Sequence, residues 1–266
     1  MKAENASRIV IKVGTSTITH ESGRPNIRCI ELLCRVLADL NNAGREIVLV
    51  TSGAVGMGLG RLGLTERPTD TAGRQAMAAV GQCELMFLYD KFFTEYGKNC
   101  AQVLLTGDII DDEKRKTCVV NCINALLGMG IIPIINENDA VSVDELEGHN
   151  IGDNDNLSSI VARLIGAQAL VMLTDIEGLY DRDPHVSDEA VLIPVVLEIT
   201  DNIRAIAGGK GSKRGTGGMA TKLTAAENAI AEGIDAYIMS GSHPEALYDL
   251  IDGKAVGTHF VPSRKE

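Results

Sequence analysis

Residues Ile131–Ser158 read IIPIINENDAVSVDELEGHNIGDNDNLS. The apolar run Ile131-Ile132-Pro133-Ile134-Ile135 suits one buried strand and stops abruptly at Asn136-Glu137-Asn138-Asp139. A short acidic excursion leads to Gly152-Asp153-Asn154-Asp155-Asn156, and a helical pattern follows over Leu157–Leu164. Asn, Asp and Gly are ordinary turn and cap formers, so turn chemistry explains either cluster alone. Two dense polar clusters so close to one buried strand are harder to explain as solvated surface.

Working outward, other short apolar runs have the same character: Arg8–Val13, Ile47–Val50, Ala101–Leu105, Ala169–Leu173 and Ala236–Met239. Near-continuous β-branched runs suit strands buried on both faces, as in parallel sheets. Helical periodicities separate them. Ile27, Ile30, Leu33, Leu37 and Leu40 mark one helix, with Asn26 as N-cap and Gly44 past its end. Thr71–Tyr96 reads as mainly helical, with Gly81 as a candidate interruption, and Cys118–Leu127, Met219–Glu232 and His243–Leu250 follow. Val191–Ile199 reads as extended, in the manner of a hairpin arm, and Thr258–Val261 as a terminal strand. The alternation predicts an α/β fold: a doubly wound, mostly parallel sheet sandwiched by helices. Pro133 is expected near a strand start or a bulge, since proline cannot donate within a central ladder.

Composition narrows the function classes. Of 266 residues, 45% are hydrophobic and 23% charged, enough for a full core, and the net charge is −11. Phosphate backbones and anionic membranes are repelled on average. Aromatics make up only 3% and Trp is absent, so base-stacking platforms are not expected. No secretory h-region or membrane-length apolar run is visible. The six cysteines show no Cys-x-x-Cys and no paired His spacing, which suits reduced thiols in a cytoplasmic protein. Cys118 and Cys122, one helical turn apart, suit a packed helix face, and the histidines read as surface residues.

Each strand run ends in small or polar residues: Gly14, Ser52-Gly53, Thr106, Asn136–Asp139, Thr174-Asp175 and Ser240-Gly241. In an open parallel sheet these ends form one rim, where ligands bind. The glycine-rich run Gly208–Gly218 opens the Met219 helix, and glycines before a helix N-terminus let backbone N–H groups approach a phosphate. Lys222 falls in the first turn of that helix. No Walker A triplet occurs, and Gly58-x-Gly60-x-x-Gly63 matches a dinucleotide fingerprint only literally, lying well past its strand. Lys12 sits inside an apolar strand, where an ammonium is costly unless paired. Phosphate on one side and a carboxylate such as Asp155 on the other would satisfy it. Ser52, Asp139 and Asn154 offer an ammonium partner and hydroxyl or amide hydrogen bonds, a set suited to an amino acid. Such a site suits phosphoryl transfer, which needs positioning and positive charge more than a nucleophilic side chain.

The motifs IKVGTS (Ile11–Ser16), VTSGAVGMG (Val50–Gly58), LLT (Leu104–Thr106), IINENDAV (Ile134–Val141), GDNDNLS (Gly152–Ser158), MLTDIEGLY (Met172–Tyr180) and GTGGMATK (Gly215–Lys222) occur in this order. Together they resemble the glutamate 5-kinases of the amino-acid kinase family, over nearly the whole chain from Arg8 to about Phe260. IINENDAV, GDNDNLS and GTGGM-x-TK in series separate that group from carbamate, aspartate and acetylglutamate kinases. The resemblance implies ATP-dependent phosphorylation of the γ-carboxylate of L-glutamate, the first step toward proline. It implies a single kinase domain over residues 1–266, with a glutamate-binding half to about 165 and an ATP-binding half from about 166. Ser52, Asp139 and Asn154 would bind glutamate. Lys12, Thr174, Asp175, Thr216, Gly217, Gly218, Met219, Ala220, Thr221 and Lys222 would bind ATP. Lys12 and Lys222 would stabilise the transferring phosphoryl group, Asp155 would orient both lysines, and Mg²⁺ would be held by the nucleotide phosphates. A homo-oligomer (tetramer or dimer), feedback by proline and coupling to a glutamyl phosphate reductase are further family expectations. The C-terminal PUA domain of many relatives is not expected here. Competing readings are another phosphotransferase on the same fold, a non-catalytic amino-acid or nucleotide sensor, and a nicotinamide dehydrogenase resting on the Gly58 match alone.

Overall fold

The computed structural model describes residues 2–64, 66–107, 112–141, 153–184, 186–208 and 218–263. A 3-10 turn leads into β1 (Arg8–Val13), a short α1 (Thr15–Ile18), α2 (Ile27–Asn42), β2 (Glu46–Val50), α3 (Ala54–Leu62) and α4 (Thr71–Glu95). Next come β3 (Cys100–Leu105), α5 (Glu113–Gly128), β4 (Ile132–Glu137), α6 (Asn154–Leu164), β5 (Ala169–Thr174) and β6 (Val195–Val196). The chain continues through α7 (Asp201–Ala207), α8 (Met219–Ala231), β7 (Asp235–Ser240), α9 (Ala246–Ile251) and β8 (Thr258–Phe260).

Among the described residues the strands form one eight-stranded sheet in the order β3-β4-β2-β1-β5-β7-β8-β6. Every pairing is parallel except β7 with β8. β1, paired with β2 on one edge and β5 on the other, is the seam between two halves of the sheet. The expected doubly wound architecture is present. Pro133 faces Ala101 of the edge strand β3, and the pairing of β4 with β2 begins only at Ile134. The missing N–H therefore lies before the central ladder starts.

Two apolar layers cover the sheet. Ile9, Ile11, Val13, Ile47 and Leu49 pack with residues of α2 and α4 on one face. Val10, Val48, Val50, Leu170 and Met172 pack with residues of α6 and α8 on the other. That alternation is the two-residue period of a strand, and it decides which helix each rim side chain meets.

Several local expectations differ from the structure. Gly81 does not interrupt α4. A Cβ there would sit 1.7 Å from the Ala54 carbonyl oxygen, so glycine lets α4 touch the backbone of α3. Gly58 and Gly60 lie within α3 and do the same toward Met77 and Gly23, which gives the literal fingerprint a packing role. Val191–Ile199 is a hairpin arm only at its start, where Leu192 bridges Tyr180 in antiparallel fashion; its later residues form the two-residue β6, which pairs with β8 in parallel. Cys118 and Cys122 are exposed, because α5 lies at the sheet margin and buries only Ile123 and Leu127. His259 is satisfied, as expected, by the buried Asp235 at 2.6 Å and by stacking on Tyr237, but it is half-buried and not a surface residue. His149 and His185 lie outside the described residues.

Candidate active site

On β1, Lys12 shares a face with Val10 and so projects toward α6 and α8. Those two helices supply its neighbours. The Lys12 ammonium lies 2.6 Å from Asp155 Oδ1, and the Lys222 ammonium donates to Asp155 Oδ2 at 3.1 Å. Lys12, Asp155 and Lys222 are 5%, 1% and 7% exposed. Removing such ions from water costs several kcal/mol each, a cost that close pairing must offset. One carboxylate against two ammonium groups leaves this buried trio with a net positive charge. Burial alone would push the Asp155 carboxyl up, but the Lys12 and Lys222 ammonium groups outweigh it and hold the carboxyl below the usual carboxylate range. Burial also draws the Lys12 ammonium down, against the opposing pull of Asp155.

The position of Asp155 depends on where α6 starts. The apolar pattern suggests Leu157, yet the helix begins at Asn154. Asp153 caps it, accepting a hydrogen bond from the Asn156 N–H at 3.0 Å. Asn154 and Asp155 therefore occupy the first turn and point to different partners. Asp155 joins the lysines. The Asn154 amide donates to Ser52 Oγ and to Asn136 Oδ1, each at 3.1 Å. Asn154 Oδ1 and Asp153 Oδ2 are buried without a hydrogen-bond partner among the described residues. An unsatisfied buried acceptor costs about 1–3 kcal/mol, which a ligand donor would recover.

Ser52, just beyond β2, continues the face of Val48 and Val50 and so meets α6. Thr51 lies on the opposite face, where its hydroxyl is 2.8 Å from the hydroxyl of Tyr89 on α4. Asp139 lies half-buried in the turn just after β4. Thr174 closes β5, adjoining β1, and its hydroxyl donates to the exposed Asp175 at 3.0 Å. Gly218 caps α8, with Met219 and Ala220 in its first turn. Thr221 donates to Asp155 Oδ2 at 2.8 Å, a contact with the carboxylate that the sequence did not suggest. Thr216 and Gly217 lie outside the described residues.

The structure thus gathers Lys12, Asp155, Thr221 and Lys222 in one cluster and Ser52, Asn136 and Asn154 in another. The successive residues Asn154 and Asp155 join them. Asn136 was overlooked as a site residue, although a polar side chain that is 1% exposed at the end of an apolar strand is itself a signal. Gln82, which bonds Asn136, carries no comparable mark in the sequence.

Three features suit an anion: two buried ammonium groups, the N-terminus of α8, and the absent side chain at Gly14. A Cβ on Gly14 would lie 3.6 Å from the Lys12 ammonium nitrogen, so glycine keeps that approach open. Among the described residues no group of three or more His, Cys, Asp or Glu side chains is arranged to hold a metal. No helix among them is long and apolar enough to cross a membrane.

The chain is similar to known proteins over nearly its whole length. A Clostridium perfringens protein named "Glutamate 5-kinase" is 50% identical over 264 residues, 99% of this chain and 98% of its own. A Listeria welshimeri protein of the same name is 49% identical, covering 99% and 95%. A third, from Caldanaerobacter subterraneus, is 48% identical over 97% of this chain and 68% of its own length. Among solved structures, a T. acidophilum isopentenyl phosphate kinase superposes with TM-score 0.67 at 17% identity, covering 95% of this chain and 99% of its own. A UMP kinase from Bacillus anthracis gives TM-score 0.64 at 16% identity, covering 97% of both chains. These two show the fold. The profile of the "Amino acid kinase family" matches residues 7–240, and the chain belongs to that family.

Proposed function

We propose that this chain transfers the γ-phosphoryl group of ATP to the γ-carboxylate of L-glutamate, as the names of its half-identical relatives suggest. The observation that carries the reading is the buried Lys12–Asp155–Lys222 cluster joined through α6 to the Ser52–Asn154 cluster. A carboxylate side chain with a pKa near ~4 is already ionised at neutral pH, so no general base is required. A carboxylate oxygen attacks the γ-phosphorus. The bond from that phosphorus to the β–γ bridging oxygen breaks, and ADP leaves with the bond's electron pair. The principal obstacle is repulsion between anions. Lys12 and Lys222 oppose it where charge develops on the phosphoryl oxygens. Asp155 holds the two ammonium groups in place.

In this reading Ser52, Asn154 and Asp139 bind glutamate, Asp139 and Asn154 Oδ1 offering acceptors for its ammonium. Thr174, Asp175 and the segment from Thr216 to Lys222 hold the nucleotide on the β5–β7 side of the seam. Asp155 is committed to two lysines, so Mg²⁺ fits best as a counter-ion carried by the nucleotide phosphates, where it neutralises their charge. The N-terminal half to about residue 165 takes the amino acid and the remainder ATP. Such a reaction belongs in the cytoplasm, with proline as an end-product inhibitor. A homo-oligomer and coupling to a reductase that consumes the labile acyl phosphate complete the reading.

Hydroxylamine trapping tests it. Protein, ATP, Mg²⁺ and hydroxylamine are incubated with L-glutamate, and in parallel with aspartate, acetylglutamate and carbamate. Hydroxamate formed from glutamate alone is expected. ATP binding without hydroxamate from any acid would overturn the reading in favour of a nucleotide sensor.

A further inference from the structure

We propose that Gln82 and Tyr89 of α4 are positioning residues for the amino-acid half of the site, although neither belongs to a rim motif. The inference rests on the glutamate reading above and names the parts that hold that half-site in register.

Gln82 and Tyr89 are two helical turns apart and so share a face of α4, the helix that covers the sheet opposite α6. Each reaches a residue of the proposed glutamate set through one intermediate. Tyr89 is fully buried, and its hydroxyl meets Thr51 Oγ1 at 2.8 Å, while Thr51 Oγ1 donates to the Ser52 carbonyl at 3.3 Å. The two hydroxyls are hydrogen-bonded to each other. The pair anchors the peptide that carries Ser52.

Gln82 works through amides. Its Oε1 accepts from Asn136 Nδ2 at 2.9 Å, and its Nε2 donates to Gln102 Oε1 at 3.2 Å. Asn136 Oδ1 in turn accepts from Asn154 Nδ2 at 3.1 Å and from the Glu137 N–H at 3.0 Å. Along the relay Asn154, Asn136, Gln82 and Gln102, each side-chain amide donates to the next. The direction matters because an amide turned by 180° exchanges donor for acceptor. Ser52 and Asn136 take the Asn154 NH₂ group, so the buried, unpartnered Oδ1 is the atom left for a ligand. An acceptor suits the ammonium of an amino acid, and a flipped amide would repel it. A half-exposed glutamine on a helix is usually a solvated residue. Gln82 has both ends of its amide engaged, and Gly81 beside it lets α4 approach α3 to backbone contact.

The test is steady-state kinetics on the full chain carrying Gln82→Met or Tyr89→Phe, each close in volume to the native side chain. Each should raise the KM for L-glutamate about three- to tenfold, the effect of one lost hydrogen bond on a neighbouring contact. The kcat and the KM for ATP should stay within about twofold. An unchanged glutamate KM in both variants overturns the proposal. Equal rises in both KM values, together with a lower melting temperature, also overturn it by showing a purely structural role. Wild-type protein that forms no glutamate-dependent hydroxamate would instead overturn the functional reading beneath it.

Discussion

Thr221 donates its hydroxyl to the same Asp155 oxygen that receives the Lys222 ammonium, so adjacent residues of α8 both secure one carboxylate on α6. Asp155 is therefore the point where α6, α8 and β1 are joined. Asp155→Asn would leave two buried ammonium groups facing each other without a counter-charge. Stability should fall by about 3–5 kcal/mol, as when one partner of a buried ion pair is removed. Denaturant unfolding measures this, and turnover should fall with it.

Lys222→Ala separates chemistry from binding. Its charge is needed most where negative charge develops, so kcat should fall by two or more orders of magnitude, roughly the loss of one transition-state donor. The KM for glutamate should change little. An unaltered kcat would remove Lys222 from the mechanism.

On the proposed reading, Asp139→Ala is the counterpart on the amino-acid side. The KM for glutamate should rise by about an order of magnitude, consistent with losing one charged hydrogen bond, while the KM for ATP stays put. A change confined to the KM for ATP would reverse the assignment of the two half-sites.

Gly81→Ala tests the contact between α3 and α4. The new methyl would meet the Ala54 carbonyl oxygen at 1.7 Å and the Gly58 nitrogen at 2.5 Å, so the helices must move apart. A loss of about 1–3 kcal/mol or more in urea unfolding is expected from such overpacking. Because α3 begins directly after Ser52-Gly53, the glutamate KM should rise as well.

The Asp235–His259 pair gives stability a pH dependence. Burial pushes the Asp235 carboxyl up, but the hydrogen bond with His259 is among the influences that outweigh it and draw the carboxyl below its usual range. A depressed carboxylate stabilises the fold above its unfolded pKa of about 3.9 and loses that contribution as pH falls through the folded value. The melting-temperature gap between wild type and Asp235→Asn should be full at neutral pH and shrink below about pH 4. A gap that stays constant into acid would show that the pairing is not electrostatic.

The parallel sheet was legible because its strands are buried on both faces and read as unbroken apolar runs. The rim was legible because those runs end in polar or small residues. Less visible was α3, since AVGMGLGRL is rich in glycine, the poorest helix former among non-proline residues. Contacts with α4 that only glycine permits override that propensity. The first turn of α6 was hidden for a related reason. Asn154, Asp155 and Asn156 favour turns when isolated, and the Asp153 cap with the partners of Asn154 and Asp155 places them in a helix. Gln82 and Tyr89 leave no sequence mark, because their roles depend on which strand lies under α4.

The central place of β1 also has a consequence for a chain emerging from the ribosome. β1 is made before both of its neighbours, and its second edge stays open until β5 has been synthesised. For most of that interval Asp155 has not been made, and Lys222 follows only after β5. A charged lysine within an otherwise sticky, unpaired edge discourages adventitious strand pairing and aggregation. The residue proposed for phosphate chemistry in the finished protein thus has the character of a gatekeeper in the nascent one.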